Sequence, residues 1–68
     1  MAVSKEKKQE YIDSIYEEME HRGFLKNEIK YVIGKTGFMI VMQEYPEEQM
    51  HYSISDAVDE ILLVAAKH

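Results

Sequence analysis

Cysteine is absent from this chain of 68 residues, so neither a disulfide framework nor a thiolate zinc site can brace it. Long apolar runs are also missing. Nothing approaches the ~20 consecutive apolar residues that a membrane-spanning helix needs. Met1 to Gln9 is basic and polar with no apolar run behind it, which is not the pattern of a secretory signal. The expected location is therefore cytoplasmic. Cations are scarce in one half only: beyond residue 35 the one base is Lys67, against Glu44, Glu47, Glu48, Asp56, Asp59 and Glu60, so the net charge of −5 lies entirely there. Such a surface repels phosphate backbones and favours basic partners. Glycine and proline are few, and Gly23, Gly34, Gly37 and Pro46 supply the punctuation.

A chain this small makes one domain, expected over residues 1–68 with 1–4 frayed, and it buries only ~60% of the surface its unfolded form exposes. Without disulfides, stability rests on tight helix packing, association, or both. The apolar periodicity fits helices. Tyr11, Ile12, Ile15, Tyr16 and Met19 share one face of a helix expected from Ser4 or Lys5 to Arg22, with Ser4 as N-cap and Gly23 just past the end. A second helix is expected from Leu25 or Lys26 to Lys35, with Leu25, Ile29, Val32, Ile33 and Thr36 facing inward and Gly37 ending it. Gly34 weakens its interior by about 1 kcal/mol relative to alanine.

Residues 38–54 permit two readings. Phe38, Val41, Met42 and Tyr45 follow helical spacing, but the continuous run Phe38–Met42 also suits a buried strand. Pro46-Glu47-Glu48 lacks the turn residues of a tight hairpin and reads better as the first turn of a short helix reaching about His51. The last helix is expected over Ser55–Lys67, capped by Ser55, with Ile54, Ala57, Val58, Ile61, Leu62 and Ala65 in one stripe and Leu63 opposite them. The fold class expected is all-α: a small bundle of three long or medium helices plus one short one. The alternative is α+β, with one β-hairpin at 38–54.

No chemical signature stands up to geometry. Two Glu-x-x-His pairs, Glu18/His21 and Glu48/His51, have the spacing of di-iron bundles, but His21 lies far around the first helix from its apolar stripe. The three histidines share no zinc spacing, although His51, between Met50 and Tyr52, is expected to be half-buried. Gly34-Lys35-Thr36 resembles part of a phosphate loop, yet position 29, where that loop needs glycine, is Ile29. No cofactor, metal or small-molecule substrate is indicated, and an enzyme is not expected.

What remains is apolar surface left over after each helix has buried its own stripe. Met39, Ile40 and Leu63 are the leftovers, and each would contribute about 1.5–3 kcal/mol if covered by a partner, before the entropic costs of association. Tyr31, beside Lys30 and Lys35 on the polar side of the second helix, has the composition interfaces favour. These six residues are the expected binding residues of a small, non-enzymatic interaction module, forming a homodimer or binding another, possibly basic, protein. The second hypothesis is a helix-turn-helix-like regulator that meets nucleic acid through the basic face of the second helix. It is the weaker one, because Phe38–Tyr45 would be its recognition helix and offers only Gln43 to base edges.

Overall fold

The computed structural model describes residues 3–67. Five helices occur among them: α1 (Lys5–His21), α2 (Lys26–Thr36), α3 (Phe38–Glu44), α4 (Pro46–Gln49) and α5 (Ile54–Ala66). The all-α class is found, and the segment 38–54 that also suited a hairpin forms α3, α4 and the start of α5. It is one helix more than expected, because 38–49 forms two helices, α3 and α4, divided at Tyr45.

Local chemistry sets the boundaries. Ser4 is the N-cap of α1, its Oγ accepting the Lys7 N–H at 3.2 Å. At the other end Gly23 takes φ +100°, its N–H donates to the Glu20 carbonyl, and the Phe24 N–H donates to the Met19 carbonyl. This paired arrangement satisfies carbonyls that the helix leaves open. It also turns Phe24 back against the core. Helix α2 starts at Leu25, whose side chain cannot cap; instead its N–H donates to Glu28 Oε1 at 2.8 Å, half of a capping box. Gly37, at φ +73°, is at once the C-cap of α2 and the N-cap of α3, so the two helices meet across one residue. Pro46 occupies the first turn of α4, where its missing N–H costs nothing.

The core is wholly apolar among the described residues: Tyr11, Ile15 and Met19 from α1, Ile29 and Ile33 from α2, Phe38 and Met42 from α3, and Ala57, Val58 and Ile61 from α5. Helices α1, α2 and α5 pack on one another, α3 packs on α2, and α4 packs on α3. The rings of Tyr11 and Phe38 lie nearly parallel with centroids 6.5 Å apart, which ties the short α3 to the long α1.

Several expectations need correction. Ser53, not Ser55, caps the last helix; its Oγ accepts the Asp56 N–H at 3.2 Å, and the helix starts at Ile54 and ends at Ala66. Leu25 is 65% exposed, because as the N-cap it has extended geometry (φ −80°, ψ 155°) and leaves the helical face its spacing implied. Val41 and Tyr45 are also exposed, so only Phe38 and Met42 of α3 reach the core. A seven-residue helix held by α2 and α4 buries one narrow edge and leaves its flanks open. His51 is exposed rather than half-buried, since it lies in the turn after α4. Ser4 is engaged as a cap, while Met1, Ala2 and His68 lie outside the described residues.

Candidate protein-interaction surface

Arg22 fixes the spacing between α1 and α5. Its Nε donates to Glu18 Oε2 at 2.7 Å, its Nη1 to Asp59 Oδ1 at 2.7 Å, and its Nη2 to the carbonyl and hydroxyl oxygens of Ser55 at 3.2 Å each. The hydrogen bond to Glu18, followed by that to Asp59, raises the guanidinium further above its ordinary value. This clamp also uses up one member of the Glu18/His21 pair, and His21 is left exposed at the helix end. Among the described residues no three His, Asp or Glu side chains converge as a metal site would require.

The second fixed point is Tyr11. Its hydroxyl lies 3.0 Å from both the Gln49 and the Tyr52 carbonyl oxygens, so α1 holds the loop into α5. That loop forms one wall of a groove of about 300 Å³. Phe38, Ala57 and Ile61, all buried, make its floor; Val41, Tyr52 and Val64 stand around it. Thr36, Gln49 and Glu60 are the polar groups on its border. Val41 is 37% exposed and Tyr52 57% exposed. The groove exists because α3 is too short to reach across to α5 along its length.

The expected binding residues do not assemble into one site. Met39 (46% exposed) and Ile40 (61%) stand on α3 as anticipated. Met39 faces a separate recess beside Lys5, Lys8 and Ile12 of α1, however, on the other flank of α3 from Val41. Leu63 is 53% exposed and sits on the acidic outer side of α5, one turn from Asp59 and Glu60. Tyr31, Lys30 and Lys35 are exposed on α2, where Lys35 Nζ lies 5.6 Å from the Tyr31 ring centroid, a cation–π contact. The fold therefore separates them into an α3 corner, an α5 site and an α2 face.

Spacing does not mark Val41 or Tyr52 as groove residues: Val41 follows the apolar stripe of its segment, and Tyr52 lies in the stretch 38–54 that also suits a hairpin. The one available signal was the shortness of the Phe38–Tyr45 segment, which cannot bury two flanks at once.

No family model, no curated protein and no solved structure matches this chain. The functional reading therefore rests on the surface itself.

Proposed function

We propose that this protein is a small, non-enzymatic interaction module that acts by occupying a surface on a protein partner, either a second copy or a different chain. The observation that carries the reading is the pair Val41 and Tyr52, both exposed, beside the buried floor of Phe38, Ala57 and Ile61, with Ile40 and Tyr45 also exposed on either side of Val41 in the chain. Scattered single apolar residues are ordinary on a surface; a contiguous group beside a concave floor is the feature that marks contact sites. Covering Ile40, more than half exposed, would contribute at most about 1.5–3 kcal/mol and Val41 less, offset by the cost of association.

A nucleic-acid reading would use Lys26, Lys30 and Lys35 on α2, all exposed. It stands second, because α2 and α3 are joined by Gly37 alone, whereas a helix-turn-helix uses a turn of about 3–4 residues.

The test is photo-crosslinking in the cells that make the protein. A benzophenone amino acid replaces Ile40 in one variant and Lys30 in a second. Discrete protein adducts from position 40, absent from position 30, are the expected result. Adducts from neither position would remove the proposal, and nucleic-acid adducts confined to position 30 would favour the α2 reading instead.

A further inference from the structure

The groove between α3 and α5 has a chemical polarity that identifies its occupant. Its floor and walls are apolar, and no lysine or arginine lines it. Glu60 borders it and is exposed. Asp56 lies one turn earlier on the same side of α5. Among the described residues Asp56 and Glu60 have no cationic partner, while Asp59, on the outer side, is already bound by Arg22. Lys67, the one base in the second half of the chain, stands past the other end of the groove, one turn beyond Val64. Acid thus stands along the α5 border of the groove, from Asp56 to Glu60, and the floor is apolar.

We infer that the groove receives an amphipathic helix of a partner protein, seated by an apolar stripe and carrying lysine or arginine where it meets Glu60 and Asp56. The inference rests on the interaction reading above and names its partner chemistry. A helix in a groove is recognised by apolar anchors one turn apart, and Val41, Phe38 and Val64 offer those anchors a seat. Complementary charge sets the orientation and speeds the encounter. A second copy of this chain is a poor occupant: its own apolar helix, α5, carries Asp56, Asp59 and Glu60 and would bring like charge to the acidic border.

The probe is a labelled synthetic helical peptide with a leucine stripe flanked by lysines, and a twin with glutamate in place of every lysine. Fluorescence anisotropy with the whole chain should show the lysine peptide binding, and the twin about tenfold weaker or more. Binding of the lysine peptide should weaken with added salt. Amide shifts on binding should map to Thr36, Val41, Tyr52 and Val64.

Two exposed-site variants separate an apolar seat from simple charge attraction. Glu60→Lys should weaken binding under either account. Val41→Glu adds negative charge, so attraction alone would tighten the complex, whereas loss of the seat weakens it by about tenfold. Circular dichroism of both variants should match the parent. Equal binding of the two peptides, tightening by Val41→Glu, or amide shifts confined to α2 would each overturn the inference. If these fail while position 40 still yields protein adducts, the contact face stands and the partner is not a basic helix; loss of the adducts as well removes both.

Discussion

The Tyr11 hydroxyl lies 3.0 Å from the Tyr52 carbonyl oxygen, so a core residue of the first helix holds the loop that walls the groove. The same hydroxyl is 3.0 Å from the Gln49 carbonyl, and its single proton is shared between the two acceptors. Tyr11 therefore has two tasks. Its ring packs in the core near Phe38, and its hydroxyl sets where the turn between α4 and α5 sits.

Tyr11→Phe separates these tasks. The ring stays and the hydrogen bond goes, which should cost about 0.5–1.5 kcal/mol in chemical denaturation. For a domain of this size that corresponds to a fall in Tm of about 4–8 °C per kcal/mol. Amide exchange should quicken locally around residues 49–53. A variant with parental stability and parental exchange would show that the loop is held by packing alone.

Arg22→Met removes the clamp between α1 and α5 and keeps a long side chain in place. Thermal unfolding should come at a lower temperature, and the gap to the parent should narrow as salt is added, because these groups are solvent-exposed and screened. The pH dependence has a definite sign. Arg22 is raised above its ordinary value by Glu18 and Asp59, so its contribution is complete below the unfolded value and is lost only as pH rises through the still higher folded one. Its own titration should produce no step in stability across the neutral range. A salt-independent gap would show that the stem of the side chain, rather than its charge, joins the helices.

The glycines on α2 should respond in opposite directions. Gly34 lies within the helix with nothing within 4 Å of an added Cβ, so Gly34→Ala should stabilise by about 0.5–1 kcal/mol. Gly37 has φ +73°, a conformation that costs an L-residue about 1–2 kcal/mol, so Gly37→Ala should destabilise although open space surrounds it. Urea midpoints measured side by side decide this. If both variants shift the same way, the one-residue joint between α2 and α3 is not held in the left-handed conformation.

Much of this architecture was legible along the chain. The spacing of Tyr11, Ile15 and Met19 and of Ala57, Val58 and Ile61 marks core faces because a long helix repeats its inward direction every 3.6 residues. Ser4 and Gly23 mark the ends of α1 because they satisfy backbone groups locally. The errors fall where local rules compete. Ser53 and Ser55 are both plausible caps, and the choice between them depends on where the chain arrives after α4. Leu25, Val41 and Tyr45 carry the right spacing but lie at a helix start or on a helix of seven residues, where spacing alone does not decide burial.

The candidate site was less legible. Spacing leaves Met39, Ile40 and Leu63 as surplus apolar residues, and all three are exposed, yet they lie on two different helices and face different ways. The groove joins Phe38 to Ile61 across residues far apart in sequence, and no periodicity encodes that meeting.

Composition and periodicity by themselves determined the three main helices with their apolar stripes, and the confinement of net negative charge to the second half, but left 38–54 open between helices and a hairpin. These follow from side-chain chemistry and from hydrogen bonds made within a few residues. Tertiary structure alone decided that α3 leaves its flanks open, that Tyr11 reaches the loop before α5, and that an acidic border meets an apolar floor. Those features arise where helices of unequal length pack, so their physical cause is a distance between elements, which no local stretch of the chain contains.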